Sequence, residues 1–167
     1  MAPSTPHRVR ALASSVLDGV VVGGTQAALD HPKRSAARRR TYAAVGTAVL
    51  TDTVLGELPT LRHITAGRPP RPVDPAEQQL GIAAGAVSAA WGVLVTVVDG
   101  PLGRALVRRG VARPHLVLGV ATGVLTAAST LPLWWRRARL RTEQDARAAT
   151  EAADLAAWEA ELAGAVT

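Results

Sequence analysis

Two stretches of the chain, residues 80–98 and 115–135, contain no Asp, Glu, Lys or Arg. A hydrocarbon core of about 30 Å is crossed by roughly 20 apolar residues in a helix, and both stretches meet that length. Two more apolar stretches, 11–29 and 42–61, are interrupted by single acids. The pattern predicts four membrane-spanning helices at about these positions.

Local sequence signals predict where the spans end. Residues 30–32 (Asp-His-Pro) close the first span, and residues 99–101 (Asp-Gly-Pro) are a turn signal after the third. Pro114 suits the first turn of the fourth span, because a helix does not need the backbone N–H that proline lacks at that position. Two basic loops, 30–41 and 99–114, are therefore expected.

The C-terminal residues 142–167 have a different pattern. They predict an amphipathic acidic helix with Leu155, Trp158 and Leu162 on one face. The chain is thus divided into a four-span domain, 1–141, and a soluble acidic helical tail. The tail is interpreted as a solvated continuation of the fourth span, or alternatively as a docking helix for a protein partner or for the chain's own basic loops.

The predicted fold class is an all-α, integral membrane four-helix bundle that ends in this acidic helix. Residues 45–51 match residues 120–126 at an offset of 75, and Lys33-Arg34 matches Arg108-Arg109 at the same offset. The match suggests two parallel helical hairpins. A chance match competes with this interpretation in a sequence so rich in Ala, Val and Leu.

Composition supports a lipid environment. Hydrophobic residues make up 48% of the chain, yet there is no Phe and only one Tyr and one Met. Small apolar residues suit helices that pack closely in lipid. The absence of Cys excludes disulfides and thiolate metal sites. The net charge of +6 comes almost entirely from Arg, a bias typical of a GC-rich bacterial genome. Such charge commonly flanks membrane spans, so nucleic-acid binding is not expected.

The number of Lys and Arg residues does not decide the orientation in a cell membrane, because the two sides carry equal numbers. Nine lie in the two basic loops, and nine lie in the N-terminus, residues 62–79 and residues 136–141 together. Charge density favours loops 30–41 and 99–114 in the cytoplasm, whereas Trp134-Trp135-Arg136-Arg137 favours the opposite. The residues expected at the membrane interface are Tyr42, Trp134, Trp135, Arg38, Arg39, Arg40, Arg108, Arg109, Arg136 and Arg137.

Small residues recur at four-residue spacing in every predicted span. Such spacing lets helix backbones approach closely, which drives association in lipid. The pattern predicts a tight bundle or a homo-oligomer. The residues expected at helix contacts are Gly19, Gly23, Ala44, Ala48, Gly56, Gly81, Gly85, Gly119 and Gly123.

Asp18 and Asp52 lie near the middle of the first two spans, and Glu57 lies nearer the end of the second. A central Asp costs roughly 2.5–3.5 kcal/mol on insertion scales, so both Asp residues are expected to face other helices. No Lys or Arg lies within a span to neutralise them. They form a candidate proton or cation site. The alternatives are a neutral Asp that bonds between helices and spans that lie less deep.

No catalytic constellation is present. The four His residues lack metal-ligand spacing, and Ser14 and Ser15 have no His partner. The sequence therefore predicts neither an enzyme nor a bound metal or cofactor. The first hypothesis is an accessory or interaction protein of the membrane. The alternative is a proton- or cation-coupled small-molecule transporter, since four short spans with Asp in the first and Trp in the third resemble, in architecture only, the small multidrug transporters.

Overall fold

The computed structural model describes residues 4–67 and 74–165, and this part of the chain is helical without any strand. The four helices are α1 (Thr5–Ala27), α2 (Ala36–Thr65), α3 (Pro75–Arg108) and α4 (Pro114–Ala165). A short 3-10 turn, Ala28–Asp30, follows α1. The all-α prediction is confirmed.

Short-range hydrogen bonds and turn chemistry determine where the helices begin and end. The Ser35 hydroxyl accepts the Arg38 N–H at 3.2 Å at the start of α2. The Asp74 carboxylate accepts the Ala76 N–H at 2.8 Å at the start of α3. Both contacts satisfy backbone donors that lack partners in the first helical turn. After α3, Gly110 takes a φ of +80°, a left-handed conformation that favours glycine.

α4 lies at the centre of the helix arrangement. It packs most extensively against α1 and next against α3, and α1 also contacts α3. Contacts at both ends of the helices show that α4 runs antiparallel to α1 and α3. For α1, the Ser4 N–H contacts Thr142 at one end, and Asp30 contacts the His115 backbone at the other. In the described ranges, α2 contacts only α1 and its 3-10 turn. Helices α1, α3 and α4 are therefore in mutual contact, with α1 parallel to α3, and α2 lies outside them against α1.

Ionisable residues gather in two layers. Arg10, Glu77 and Arg137 lie at the end from which α4 extends, which we call the tail end. Asp99 and His115, together with Asp30, lie at the other end, which we call the basic end. About 20 residues, or roughly 30 Å of helix, separate the two layers in each of α1, α3 and α4.

Three helices are long and apolar enough to cross a membrane: Thr5–Asp30, Pro75–Arg108 and Pro114–Gly164. Between the two polar layers these helices carry one charged residue, Asp18. The second predicted span, 42–61, lies within α2, which does not meet the same criterion. Its low hydropathy comes from Asp52, Glu57 and several threonines. Hydropathy thus supports three of the four predicted spans.

Side chains are distributed as lipid would require. Among the described residues, the largest fully buried side chains are Thr126, Thr130 and Ser14. Large apolar side chains point outward instead, with Val93 66% exposed and Val97 70% exposed. Exposing such surface to water costs roughly 25 cal/mol per Å², whereas in lipid it costs nothing comparable. The exterior is therefore suited to hydrocarbon.

The predicted loop 99–114 is shorter than expected. α3 continues through Pro101 to Arg108, and the turn covers only residues 109–113. A proline inside a helix removes one backbone hydrogen bond and crowds the preceding turn. Here Asp99, two residues before the proline, is hydrogen-bonded to His115 of α4 and Gln26 of α1. These contacts stabilise the helix where the turn signal predicted its end. The other predicted loop, 30–41, is likewise shorter, because α2 already begins at Ala36.

The helix directions are compatible with two parallel hairpins, α1–α2 and α3–α4. The repeated segments, however, lie in different surroundings. Residues 45–51 are exposed or half-exposed on α2, where Val45 faces Gly24 of α1. Their counterparts, 120–126, include Thr122 and Thr126, which are buried. The sequence match therefore does not produce two equivalent halves.

The predicted tail is not separated from the fourth span. α4 runs for 52 residues without a break, which corresponds to about 78 Å. From residue 146 to residue 164 every side chain is exposed. The C-terminal part of α4 therefore projects beyond the other helices.

Candidate functional site

A glycine seam joins α1 to α4. A Cβ placed on Gly23 would lie 2.4 Å from the carbonyl oxygen of Gly119, and one on Gly19 would lie 2.4 Å from that of Gly123. Only glycine permits so close an approach between the two backbones. Ser15 strengthens the seam by donating a hydrogen bond of 2.7 Å to the Ala127 carbonyl. The seam sets the register in which the polar residues of α1 meet those of α4.

The remaining small residues of the predicted packing set are more open: Ala44, Ala48, Gly56, Gly81 and Gly85. Ala44 is exposed and Ala48 half-exposed on α2. A Cβ on Gly85 would have no neighbour within 4 Å, and one on Gly56 or Gly81 would meet only an arginine side chain. Spacing alone could not distinguish these residues from those of the seam. Two backbones approach closely only where the small residues of one helix lie opposite the small residues of another.

A polar pocket of about 160 Å³ lies at the tail end between α1, α2 and α4. Its polar lining consists of His7, Arg10, Ser14, Asp52, Thr53, Trp134, Arg137 and Arg141. At one edge His7 contacts the Asp145 carboxylate at 2.7 Å. The pocket therefore combines cationic, anionic and neutral hydrogen-bonding groups.

Asp52 is neutralised in this pocket. The Arg10 guanidinium lies 3.0 Å from its carboxylate and donates a hydrogen bond of 2.7 Å to its backbone carbonyl. No Lys or Arg lies within a predicted span, and the cation that neutralises Asp52 comes from outside the first span. Arg10 lies one position before the predicted first span, and the antiparallel course of α2 brings Asp52 toward it.

Asp18 lies between the polar layers and faces another helix, in the manner the sequence analysis expected. The Trp134 indole N–H donates a hydrogen bond of 2.7 Å to its carboxylate. The Thr130 side chain also lies beside this carboxylate. No Arg or Lys in the described ranges forms an ion pair with Asp18. Asp18 is thus held by neutral donors.

A three-residue ionic network joins α3 to α4 beside the pocket. Glu77 lies 2.8 Å from the Arg137 guanidinium and accepts a hydrogen bond of 2.7 Å from Arg141 Nε. Only 8% of Glu77 is exposed. The sequence analysis missed Glu77 because it precedes the third span. The available signal was an acid and two arginines at the same end of antiparallel helices.

The start of α3 is also attached to α4. The Gln144 amide donates a hydrogen bond of 2.9 Å to the Asp74 carboxylate. The Ala76 N–H and this amide together lower the pKa of Asp74 below its usual range. Asp74 therefore remains charged at neutral pH and links the two helices.

The basic end contains a second polar cluster. The His115 ring contacts Asp99 at 2.7 Å, and Gln26 donates to the same carboxylate oxygen. Asp30 accepts the backbone N–H groups of His115 and Leu116 at 3.1 and 2.7 Å. An acid in this position satisfies orphan donors and complements the helix dipole. This cluster was not predicted as a site.

The predicted interface residues separate between the two ends. Tyr42, Arg38, Arg39, Arg40, Arg108 and Arg109 lie on the side of the basic end, and Trp134, Trp135, Arg136 and Arg137 lie on the side of the tail end. The Arg38 guanidinium lies 5.7 Å from the centre of the Tyr42 ring. Trp134 has a second role that the sequence did not indicate, since it binds Asp18 and lies 5.2 Å from the Arg137 guanidinium.

The projecting part of α4 exposes an apolar stripe. Leu155 is 55% exposed, Trp158 58% and Leu162 48%. Their spacing of three and four residues places them on one helix face. The chain's basic loops lie at the opposite end of the bundle, so the alternative in which the tail binds those loops does not fit this fold.

The chemistry available at the tail end is charge pairing and hydrogen bonding. In residues 4–67 and 74–165, no group of three or more His, Asp or Glu residues is placed to hold a metal ion. The side chain of Glu57, the third predicted acid, lies outside the described residues. No protein-family model, curated protein or solved structure matches the chain.

Proposed function

We propose that this chain is a four-pass integral membrane protein that acts as an accessory or interaction protein, using the projecting part of α4 to bind a basic segment of a protein partner. One observation carries the proposal. A single unbroken helix leads from the band between the two polar layers to an exposed face that is both apolar and acidic. Such a helix connects a membrane anchor rigidly to a docking surface.

The band between the two polar layers supports the membrane assignment. Its depth of roughly 30 Å equals a hydrocarbon core, and its outer surface is apolar. Aromatic residues mark both of its limits, Tyr42 on one side and Trp134 and Trp135 on the other. Interfacial Tyr and Trp commonly occupy these levels.

Helix direction supports a fourth crossing despite the low hydropathy of α2. Because α1 and α3 run parallel, the chain leaves α1 at the basic end and enters α3 at the tail end. Residues 31–74 must therefore return across the band. α2 covers most of that distance, and its Asp52 is paired with Arg10 at the tail end.

Charge density supports placing the basic end in the cytoplasm. The counts of Lys and Arg tie, but five of the nine cationic residues of the basic end are concentrated in residues 33–40, shortly after α1. Cationic residues of short loops resist translocation, and this density makes the basic end the more resistant side. The tail end and the projecting part of α4 then lie opposite the cytoplasm.

Single-cysteine labelling tests this topology, and the cysteine-free chain makes it clean. We expect cysteines at Ala37 and Ala112 to react with a membrane-impermeant maleimide from one side, and those at Thr65 and Ala149 to react from the other. A cysteine at Val97 serves as the control and stays unreactive, since it faces hydrocarbon. Reaction of positions 37 and 65 from the same side would contradict the fourth crossing.

The charge of the projecting helix defines the chemistry of the partner. Glu151, Asp154, Glu159 and Glu161 flank the apolar stripe, and no Lys or Arg follows Arg147. A second copy of the same helix would bring like charges together. A Lys- and Arg-rich amphipathic segment complements both the charge and the apolar stripe.

Site-specific photocrosslinking in membranes tests the docking proposal. We expect a photoreactive phenylalanine analogue at Trp158 to capture one discrete protein, with the crosslinked peptide rich in Lys and Arg. The same analogue at Ala160, on the opposite face, is the matched control and captures little. In the full chain, Trp158→Ala is expected to weaken partner retention by about tenfold or more. Equal capture at both positions, or capture only of another copy of this chain, would overturn the proposal.

The transporter alternative receives less support from the geometry. Arg10 neutralises Asp52, so the two carboxylates do not form an open pair for a cation. Asp18 is already hydrogen-bonded to Trp134 in a manner that suits a structural contact between α1 and α4.

A further inference from the structure

The basic end carries far more positive than negative charge. Its carboxylates are Asp30 and Asp99. Its nine cationic residues are Lys33, Arg34, Arg38, Arg39, Arg40, Arg104, Arg108, Arg109 and Arg113. The excess lies immediately outside the band between the two polar layers, at the level where lipid headgroups begin.

Both carboxylates of this end are used internally. Asp30 accepts two backbone N–H groups at the start of α4, and Asp99 is bonded to Gln26 and His115. In the part of the chain that the structure describes, none of the nine cationic side chains has an ion-pair partner. The protein therefore supplies the charge without supplying its counter-ions.

Two open pockets of about 500 Å³ each lie among these residues. One presents Arg104 and Arg108 together with Asp99, and the other presents Lys33 and Arg38 together with Asp30. His115 borders both pockets. Each pocket thus offers two cations within one concave surface beside the apolar exterior, so a phosphate bound there can keep its acyl chains in the hydrocarbon.

We infer that the basic end binds the headgroups of anionic phospholipids. Each Lys or Arg near an anionic leaflet contributes about 1 kcal/mol, or roughly fivefold in affinity. Arginine also matches phosphate oxygens with two parallel hydrogen bonds. A lipid fits better than a free anion because both pockets are shallow and continuous with the lipid-facing surface. This inference is independent of the partner of the projecting helix.

Lipid selectivity around the full chain tests the inference. A fluorophore is attached to a single cysteine at Ala112, at the basic end, in bilayers that contain spin-labelled phosphatidylglycerol or spin-labelled phosphatidylcholine. We expect phosphatidylglycerol to be preferred about fivefold or more, and the preference to fall as salt rises. A fluorophore at Ala76, at the tail end, is expected to show little preference.

Charge-neutralised variants identify the pockets. Arg104→Gln with Arg108→Gln, or Lys33→Gln with Arg38→Gln, is expected to bring the preference at position 112 down from about fivefold or more to near equality, since each pair removes two cations that contribute roughly fivefold each. Arg136→Gln with Arg139→Gln, which removes two exposed arginines at the tail end, is the matched control. Equal quenching by the two lipids at position 112 would overturn the inference. Equal loss in the control variant, or a preference unaffected by salt, would also overturn it.

Discussion

Replacing Gly23 by Ala is expected to destabilise the bundle strongly, although a single methyl group is added. That methyl group would lie 2.4 Å from the Gly119 carbonyl oxygen, which belongs to backbone and cannot rotate away. The two helices must separate, and the contacts along the seam weaken together. Overpacking of this kind costs about 1–3 kcal/mol, and we expect the upper part of that range. The measurement is the free energy of unfolding in detergent, followed by tryptophan fluorescence.

The matched control is Gly85→Ala in α3. A Cβ at this position meets open space, so the substitution adds helix propensity without a clash. We expect no loss of stability, or a gain of up to about 1 kcal/mol. Equal destabilisation by both substitutions would show that α1 and α4 do not meet at the seam.

The contrast between these glycines shows what spacing can predict. Both α1 and α3 carry glycines four residues apart, and nothing in either row alone distinguishes them. The rows of α1 and α4 meet because Asp30 and Ser4 place those helices in one register. The register of two helices depends on contacts between residues distant in sequence, so a local sequence pattern could not predict it.

The positions of the helices were easier to predict than their ends. Uncharged stretches of about 20 residues have no stable conformation in lipid other than a helix or a closed barrel, and so 80–98 and 115–135 were found correctly. The end of α3 was missed because the effect of Pro101 is local, whereas the Asp99–His115 contact that opposes it joins two helices.

At the candidate site, the sequence predicted the orientation of one acidic residue but not the ion pair of the other. The cost of burying a carboxylate indicated that Asp18 faces another helix, and its hydrogen bond to Trp134 agrees with that orientation. The pairing of Arg10 with Asp52 was missed because Arg10 had been placed outside the first span. A long arginine side chain can carry its charge well away from its own backbone position.

Removing the charge of Glu77 is expected to have the largest effect of any single polar substitution in the bundle. Glu77→Gln would leave Arg137 and Arg141 side by side without their counter-charge, and Arg10 lies on the same pocket. Breaking a buried ion pair by removing one partner costs about 3–5 kcal/mol, because the other charge stays desolvated. We expect a loss of that order in the free energy of unfolding.

A double-mutant cycle separates the lost charge from the lost side chain. Adding Arg137→Gln to Glu77→Gln removes one of the two uncompensated cations, so the double variant is expected to recover part of the stability lost in Glu77→Gln. Glu151→Gln, on the exposed part of α4, is the control and is expected to stay within about 0.5 kcal/mol of the unmodified chain. Purely additive losses in the cycle would mean that Glu77 and Arg137 stabilise the bundle independently. The Glu77–Arg137 ion pair would then contribute nothing to holding α3 against α4 at the tail end.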